Sequence, residues 1–284
     1  MNEIISAEDT RLVVTMSPSS LNNLQLCPRL FKFSDIDRWG PINVGHRIEM
    51  GTYLHSLLET YYNQKKDSTP DPADIVYKAH AKLVEDSFLS SEDIATVERL
   101  FYEYCDFYSS CNWKPLFAEQ PFTKQIFEDE SYIFVIQGKV DLAVSTTSHE
   151  LLVVDHKMVG RNSKPPYRAN QNLAYAWAFD TQVMMINRIG DQKSLSIKER
   201  MSRVLHSYTK AHIVEWELET IAWIKLMIIY AKNNHFIGNN TSCDKYSGCS
   251  FREVCDAAPV ARQFKIENLF KKKTHELYAE TEVE

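Results

Sequence analysis

The chain has 284 residues, of which 44% are hydrophobic and 25% charged, so it is long and apolar enough for a sizeable core and is not a disordered chain. No run of about 18 apolar residues is present, and the N-terminal MNEIISAEDT lacks the basic start and apolar core of a secretory signal. We therefore expect a cytoplasmic protein without a membrane span. The net charge of −6 disfavours a protein that coats nucleic acid by charge alone.

The predicted elements begin with a short strand or arm within residues 1–16. Ser17 can cap a helix that starts at Pro18, and Pro28 inside the same apolar pattern predicts a break beside Cys27. Helical spacing of apolar residues predicts three further helices, over 46–64, near 73–88 and near 91–110.

Alternating apolar residues then predict three strands, over 116–127, 131–145 and 150–155. A helix near 166–179, the strand-like runs VMMINRI and SRVLHSYT, and an amphipathic helix over roughly 212–236 follow. Helices that precede a strand meander, followed by helix, strand and helix, indicate an α/β (α+β) fold. We expect a central mixed sheet flanked by helices.

The segment QGKVDLAVSTTSHELLVVDHKMVG carries the most informative residues. Asp141 lies late in one predicted strand, and Asp155 and Lys157 lie at the end of the next. If these strands pair as a hairpin, both carboxylates converge, while strand alternation puts Lys157 on the face of Asp155 and His156 on the other face. Two carboxylates are typical ligands of Mg²⁺ or Mn²⁺, and phosphodiester cleavage needs such a cation to polarise phosphate and activate water. The lysine can stabilise developing charge, and the His156 carbonyl offers a further metal ligand.

Three more side chains point to the same site. His55 lies on the helix over 46–64, and a neutral imidazole is a competent ligand, more so for Mn²⁺ than for Mg²⁺. Gln171 and Tyr175 lie one helical turn apart, where they can contact a phosphate or position Lys157. Each feature alone is common, since a D-x-K at a strand end is usually a surface charge pair and a single helical histidine is usually structural. Their joint occurrence in this order predicts a metal-dependent DNA nuclease.

The combined pattern resembles the RecB-like branch of the PD-(D/E)XK nuclease superfamily. The resemblance extends over roughly residues 17–256 and rests on Gly51-x3-His55-x3-Glu59, Gly138-x2-Asp141, Asp155-x-Lys157 and Gln171-x3-Tyr175. It implies a restriction-endonuclease-like core, with His55, Asp141 and Asp155 as metal ligands and Lys157 as the catalytic lysine. Many members have Glu at the second acidic position, where this chain has Asp, and either residue binds metal.

Four of the six cysteines form a second pattern. Three are regularly spaced as Cys243-x5-Cys249-x5-Cys255, and Cys27 lies in the N-terminal LCPRLFKF segment. The arrangement is similar to that of iron–sulfur nucleases of the same branch: the CRISPR-associated RecB-like exonucleases, their phage relatives and the AddB-type subunits. It implies a [4Fe–4S] cluster that ties the N-terminal helix to the C-terminal segment, although many relatives have x2 between the first two C-terminal cysteines. Four thiolates also suit zinc, and buried, unligated cysteines are a third interpretation.

Other residues receive simpler interpretations. Cys105 and Cys111 are predicted to be packing residues on an amphipathic helix, and the KKK run at 271–273 is predicted to be a solvated helix end. The candidate DNA contacts are Lys139, Arg161, Lys164, Tyr167 and Arg168 around the catalytic segment, and Arg29, Lys32 and Arg38 after Cys27. Tyr167 can stack on a base. Nothing here is predicted to read base edges, so we expect little sequence specificity.

We predict a single nuclease domain over residues 1–284. It would comprise a helical part (17–112), a catalytic sheet core (113–210), a C-terminal helix and cluster lobe (211–258) and a charged tail (259–284). The expected function is a DNA exonuclease acting on single-stranded or end-containing DNA in a bacterial, archaeal or phage-infected cell, as the resemblance implies. One alternative is a weakly active or non-catalytic subunit of a recombination or CRISPR-adaptation complex, and another is an interaction module with zinc-held cysteines. The complete set of site residues favours an active enzyme.

Overall fold

The computed structural model describes residues 11–42, 45–86, 89–160, 166–245 and 248–273. In chain order its elements are β1 (Leu12–Met16), α1 (Pro18–Leu26), α2 (Pro28–Phe31), a π-helical turn (Lys32–Ile36), β2 (Trp39–Pro41), α3 (His46–Lys65), α4 (Pro72–Asp86), α5 (Ser91–Phe107), β3 (Lys114–Glu128), β4 (Tyr132–Ser145), β5 (Leu152–Val159), α6 (Asn170–Ala178), β6 (Val183–Gly190), α7 (Ile197–Arg200), β7 (Met201–Ser207), α8 (Lys210–Lys232), a 3-10 turn (Asn240–Ser242), α9 (Arg252–Asp256), a second 3-10 turn (Pro259–Ala261), α10 (Arg262–Leu269) and β8 (Phe270–Lys272). None of the helices in these described ranges combines the length and the apolar character needed to cross a membrane.

The start of α1 and the break after it follow from local chemistry. The Ser17 hydroxyl accepts a hydrogen bond from the Ser20 backbone N–H at 3.0 Å, which satisfies a donor that the first helical turn leaves free. Pro28 has no backbone N–H to continue the hydrogen-bond ladder, so α1 ends at Leu26 and α2 begins at Pro28. Cys27 lies between them in extended conformation, as the proline predicted.

The chain divides into two compact units. The central unit consists of Val44–Phe122 and Lys139–Ile213, and the terminal unit consists of Met1–Asn43, Thr123–Gly138 and Val214–Glu284. The unit boundaries do not coincide with the predicted segment boundaries at 112, 210 and 258, and the single-domain organisation stays a prediction.

The central unit is built on a mixed sheet. Its strands follow the order β4-β5-β6-β7, in which β5 pairs antiparallel with β4 and parallel with β6, and β6 pairs antiparallel with β7. Helices α3 and α5 bury their apolar side chains, including Leu57 and Leu100, in one core with Leu142, Val154 and Ile189 of the sheet. Burial of these side chains is the main force that holds the helices on the sheet. The predicted α/β fold with a mixed central sheet and flanking helices is thereby confirmed.

The terminal unit has its own small core. β1 runs parallel to the first part of β4, with Leu12 opposite Tyr132, and β2 pairs antiparallel with β8. Phe251 and Phe270 stack with ring centroids 4.3 Å apart, next to Val254. These contacts fix the segment around α9, α10 and β8.

Part of the charged tail predicted from residue 259 forms α10 and β8. Lys271 and Lys272 lie in a strand, not at a helix end as predicted. The Lys272 ammonium lies 4.0 Å from the centroid of the Trp39 ring, which explains how a lysine run is accommodated beside β2.

Two helix predictions also change. The helix predicted near residues 166–179 begins only at Asn170, because Ala169 is extended (φ −67°, ψ 137°) and forms the N-cap. Cys105 is buried in the core, as predicted. Cys111 lies beyond the end of α5, where its Sγ accepts a hydrogen bond from Arg203 at 3.1 Å.

Candidate active site

Two carboxylates lie opposite each other on neighbouring strands of the central unit. Because β4 and β5 are antiparallel with Leu142 paired to Val154, Asp141 lies across from Asp155. Asp141 is 8% exposed and Asp155 is fully buried. The sequence had predicted Asp155 at the end of its strand. Instead, β5 continues to Val159, so Asp155 lies inside the strand. The Lys157 Nζ lies 2.9 Å from Asp155 Oδ1, as expected for side chains on one face of a strand.

A histidine and a further carboxylate complete this group. Ligand atoms of His55, Glu119 and Asp141 all lie within 4.8 Å of one another, a spacing at which one metal ion can contact all three. His55 Nδ1 is 3.6 Å from Glu119 Oε1 and 3.6 Å from Asp141 Oδ2. Helix α3 therefore brings His55 to the carboxylates of two different strands.

Glu119 is the residue of this group that the sequence did not identify. It lies within β3 with φ of 50°, and its carboxylate forms an ion pair with the Lys139 ammonium. No motif surrounds it, since AEQPF offers only a carboxylate inside an alternating apolar run. Its approach to His55 depends on how β3 lies in the folded unit, and spacing along the chain does not predict that.

His156 contributes through its main chain. Its backbone N–H donates to Asp141 Oδ2 at 2.7 Å. Its carbonyl oxygen lies 3.0 Å from His55 Nε2. The carbonyl predicted as a metal ligand therefore contacts His55 Nε2, whereas His55 Nδ1 is the nitrogen near the two carboxylates. The imidazole of His156 lies on the opposite face of β5 and is 2% exposed.

The paired carboxylates resist ionisation when no cation is present. Burial raises the pKa of Asp141, and the neighbouring Asp155 carboxylate raises it further because two buried negative charges repel. Burial also raises the pKa of Asp155, against the opposing charge of Lys157. Both carboxyls therefore keep their protons to a higher pH than isolated aspartic acids do.

The groups around the pair favour their charged forms. Burial disfavours the imidazolium of His55, but its hydrogen bond with Glu119 and the charge of Asp141 outweigh burial and raise its pKa. Burial likewise opposes ionisation of Glu119, yet the contacts with His55 and Lys139 hold its pKa below the ordinary value. A cation bound to this group would take the place of the protons that the carboxylates otherwise hold.

Gln171 and Tyr175 link Lys157 to the sheet. The Lys157 ammonium donates to Gln171 Oε1 at 2.9 Å, Gln171 Nε2 donates to the Tyr175 hydroxyl at 2.9 Å, and that hydroxyl donates to the Lys139 carbonyl at 2.7 Å. Burial acts against the Lys157 ammonium, but the Asp155 carboxylate reverses this effect and raises its pKa. The chain of hydrogen bonds holds a charged lysine in one place.

The residues fit a divalent cation. Two or three carboxylate groups with one imidazole are a suitable donor set for Mn²⁺ or Mg²⁺. Among the described residues, no side chain or backbone group donates a hydrogen bond to Asp155 Oδ2, although this atom is buried. A buried carboxylate oxygen without a donor is costly, and a nearby cation relieves that cost.

The terminal unit gathers the four predicted cysteines. Burial raises the pKa of the Cys249 thiol, and the nearby thiolates of Cys255, Cys243 and Cys27 raise it further, so all four lie within electrostatic range. The Cys249 backbone N–H donates to the Cys243 carbonyl at 2.8 Å. None of the four forms a disulfide, and each is partly buried. Among the described residues, only His55, Glu119 and Asp141 bring three possible ligand atoms within 4.8 Å of one another, so no three of the four sulfur atoms lie that close together.

A short segment fastens Cys27 to the C-terminal cysteines. The Asn239 backbone N–H donates to Cys27 Sγ at 3.3 Å, and its side-chain amide donates to the Leu26 carbonyl at 2.9 Å. Arg29 lies against Gly238, where an added Cβ would come within 2.9 Å of its Nη1. Burial raises the pKa of Cys255, and a hydrogen bond from Arg29 opposes this increase.

The residues predicted to contact DNA have different environments in the structure. Tyr167 is 42% exposed and packs beside Tyr208, with ring centroids 5.0 Å apart. Arg29 faces the cysteines and Lys139 forms an ion pair, so neither is an unengaged surface cation. Lys32 forms a 2.6 Å ion pair with Asp37, Arg38 has φ of 62°, and Arg168 lies in the turn before α6. Arg161 and Lys164 fall outside the described residues.

Known proteins provide an independent line of evidence. The sequence profile of the PD-(D/E)XK nuclease superfamily matches residues 15–256. A comparison with curated proteins gave no match. A solved structure from Eubacterium rectale, of a protein assigned as an exonuclease, is similar with 12% identity and a TM-score of 0.51 over 81% of this chain and 86% of its own. At this identity the similarity shows a shared fold.

Two further solved structures are less similar. The phage-related exonuclease from Haemophilus somnus 129PT has 13% identity and a TM-score of 0.31 over 69% of this chain and 97% of its own. LHK-Exo in complex with dAMP has 12% identity and a TM-score of 0.33 over 65% of this chain and 97% of its own. These scores are too low to establish a common fold. The family profile, by contrast, spans most of the sequence, and the chain therefore belongs to the PD-(D/E)XK nuclease superfamily.

Proposed function

We propose that this nuclease is a metal-dependent DNA exonuclease. The observation that carries the proposal is the group of His55, Glu119 and Asp141, whose ligand atoms lie within 4.8 Å of one another next to the Asp155–Lys157 pair. A cation-binding group beside a buried acid and a lysine is the combination that phosphodiester hydrolysis requires.

His55, Asp141, Asp155 and the His156 carbonyl are the predicted metal ligands, and Glu119 joins them as a fifth candidate. When bound, Mg²⁺ or Mn²⁺ polarises a phosphate oxygen and lowers the pKa of an attacking water. A neutral imidazole and ionised carboxylates are the ligating forms, so metal binding displaces the protons that the free site holds.

Lys157 is proposed to act on the phosphate and not on the metal. Its ammonium is held by Asp155 at 2.9 Å and by Gln171 at 2.9 Å, so it is fixed in position. A fixed positive charge stabilises the negative charge that develops on the phosphate, without the cost of reorganising water. Gln171 and Tyr175 act through the lysine and are positioning residues in this proposal.

Attack from DNA ends is supported by two considerations. The Eubacterium rectale structure, which shares the fold, is of a protein assigned as an exonuclease. The RecB-like pattern of site residues implies single-stranded or end-containing DNA as the substrate. Tyr167, with 42% of its surface exposed four residues before Gln171, is the candidate for stacking on a base. Recombination or CRISPR-adaptation proteins remain the predicted partners.

We further propose that Cys27, Cys243, Cys249 and Cys255 hold a [4Fe–4S] cluster. Four thiolates are a complete ligand set for such a cluster, and the four thiols interact with one another in the terminal unit. The Arg29 guanidinium beside Cys255 supplies positive charge, which an anionic cluster of thiolates requires. Zinc is the alternative metal for the same four cysteine ligands.

The nuclease proposal is tested on end-labelled single-stranded, double-stranded and circular DNA with Mg²⁺ or Mn²⁺. We expect digestion of linear DNA, no cleavage of circular DNA, and a rate loss of about 100-fold or more in Lys157→Met. Lys198→Met, at an exposed lysine of α7, is the control and should digest normally. Cleavage of circular DNA would overturn the exonuclease assignment, and unchanged digestion by Lys157→Met would overturn the site.

The cluster proposal is tested by spectroscopy and elemental analysis of anaerobically purified protein. We expect brown protein with iron, sulfide and an absorbance near about 400 nm that Cys249→Ser removes and Cys111→Ser retains. Colourless wild-type protein that contains one zinc ion per chain would refute the cluster and support the zinc alternative.

A further inference from the structure

The peptide unit at His156 joins the two sides of the candidate metal site. Its N–H donates to Asp141 Oδ2 at 2.7 Å, and its carbonyl oxygen lies 3.0 Å from His55 Nε2. A small rotation of this peptide would move both partners. The position of the His156 main chain therefore sets the spacing between the β4 carboxylate and the α3 imidazole.

The His156 ring is anchored on the reverse face of β5. Asn187 Nδ2 donates to His156 Nδ1 at 2.8 Å and to the Tyr104 hydroxyl at 2.9 Å. That hydroxyl lies 2.6 Å from the Tyr62 hydroxyl. The four residues form a buried polar chain from α3 and α5 to β5 and β6, which we call the reverse-face network.

Aromatic packing restricts the same ring. Tyr62 stacks on His156 with centroids 5.8 Å apart and an interplanar angle of 19°, and Tyr104 meets it edge-on at 6.4 Å. A ring held by a hydrogen bond and two aromatic contacts has few alternative rotamers. The side chain can therefore transmit its position to the peptide that it belongs to.

The Arg203 side chain borders the reverse-face network. The Arg203 guanidinium lies between the Tyr108 and Trp113 rings, 3.6 and 3.5 Å from their centroids. It also donates to the Tyr104 hydroxyl at 3.5 Å. Burial, and then the charges of His55 and Arg203, lower the pKa of His156, so its ring stays neutral.

We infer that His156 is a positioning residue whose buried ring, through the reverse-face network, sets the geometry of the metal site formed by His55, Glu119 and Asp141. This inference rests on the proposed function of that site. It assigns a task to four buried polar side chains, of which the His156 ring lies edge-on to the His55 ring with centroids 6.1 Å apart. Among the described residues, His156 Nε2 and Asn187 Oδ1 have no hydrogen-bond partner, so the network costs stability. Residues behind metal ligands commonly tune metal affinity.

The test measures metal affinity separately from stability. In His156→Phe the ring volume is kept but the bond to Asn187 is lost, and we expect Mn²⁺ affinity, measured by calorimetric titration, to fall about tenfold. The Mn²⁺ concentration for half-maximal cleavage should rise by the same factor, while the rate at saturating Mn²⁺ recovers substantially. Tyr104→Phe, which removes one hydroxyl from the centre of the network, should show a smaller loss in the same direction.

Tyr53→Phe is the matched control. Tyr53 lies on the same helix as Tyr62 but outside the reverse-face network. Its buried hydroxyl donates to Glu98 at 2.9 Å, and the substitution removes this bond. It should lower the melting temperature without changing Mn²⁺ affinity. If His156→Phe and Tyr104→Phe only lower stability, as Tyr53→Phe does, His156 is a packing residue and the inference is wrong.

Failure of the proposed function has a different signature. Wild-type protein that neither binds Mn²⁺ nor cleaves DNA would contradict the metal site itself. Wild-type protein that binds and cleaves normally, alongside His156 variants with unchanged Mn²⁺ affinity, would contradict only the positioning role. If His156→Phe fails to fold, the milder Tyr104→Phe decides the question through its Mn²⁺ affinity.

Discussion

The raised pKa of the Asp141 carboxyl makes the metal-free protein sensitive to pH. Burial raises the pKa of Asp141 from 3.8 to about 7, and the adjacent carboxylate contributes to this increase. The group is raised, not depressed, so its stabilising effect is complete below about pH 4 and is lost as the pH rises towards 7. Folding without metal should therefore weaken between pH 5 and pH 8.

The expected loss follows from linkage. Over the interval from pH 5 to about 7 the folded protein keeps a proton that the unfolded chain releases, and each pH unit costs about 1.4 kcal/mol. The free energy of unfolding should fall by about 3 kcal/mol, a figure that counts Asp141 alone. His55, whose pKa is also raised, changes stability in the same direction.

Urea denaturation of chelator-treated protein at pH 5, 6, 7 and 8 measures this loss. Asp155→Asn removes the like charge beside Asp141, and with it a charge that raises the pKa of His55 and of Lys157. Its loss between pH 5 and pH 8 should be smaller by about 1 kcal/mol or more, because burial alone then opposes ionisation. At pH 8 the variant should be more stable than the wild type when metal is absent.

Saturating Mn²⁺ should reverse the order at pH 8, since the metal stabilises only a protein that retains its ligands. The explanation would be refuted if wild type and Asp155→Asn lost stability in parallel from pH 5 to pH 8. It would equally be refuted if Mn²⁺ stabilised both proteins to the same extent.

Three further predictions concern individual contacts. Glu119→Gln should weaken Mn²⁺ binding about tenfold in a calorimetric titration, because one carboxylate leaves the group of candidate ligands. Tyr175→Phe breaks the hydroxyl link to Gln171 and should lower kcat about tenfold while Mn²⁺ affinity stays constant. Gly238→Ala places a Cβ within 2.9 Å of the Arg29 guanidinium, so it should displace Arg29 and shift the reduction potential of the proposed cluster to a more negative value in a redox titration.

Each of these predictions has a contrary result. Unchanged Mn²⁺ affinity in Glu119→Gln, with Glu128→Gln of the same strand as the control, would remove Glu119 from the ligand set. A Tyr175→Phe variant with normal kcat would show that Lys157 needs no support from the helix. An unchanged potential in Gly238→Ala would mean that Arg29 does not influence the cysteine site.

The sequence correctly predicted the order and type of most long elements. Ser17, Pro18 and Pro28 mark the start of α1 and its break because capping and the missing proline N–H act locally. Strand alternation correctly separated Lys157 from His156. Boundaries set by partners elsewhere in the chain were missed, as for β8, which exists because it pairs with β2.

The candidate site residues also divide into those that the sequence predicted and one that only the folded structure reveals. Spacing within β5 and α6 predicted Asp155, Lys157, Gln171 and Tyr175, because side-chain direction in a strand or helix follows from local periodicity. Only the folded sheet brings Glu119 to His55, since φ of 50° at Glu119 and the course of β3 leave no pattern in the sequence.

The reverse-face network shows most clearly what tertiary structure adds. The sequence by itself determined the family, the sheet-based fold and the acid pair of Asp141 and Asp155, which are encoded by residue type at short spacing. Tyr62, Tyr104, His156 and Asn187 come from four separate elements, and nothing in their spacing links them. Their association depends on burial and on hydrogen bonds formed in the assembled core, which are properties of the whole fold and not of any segment.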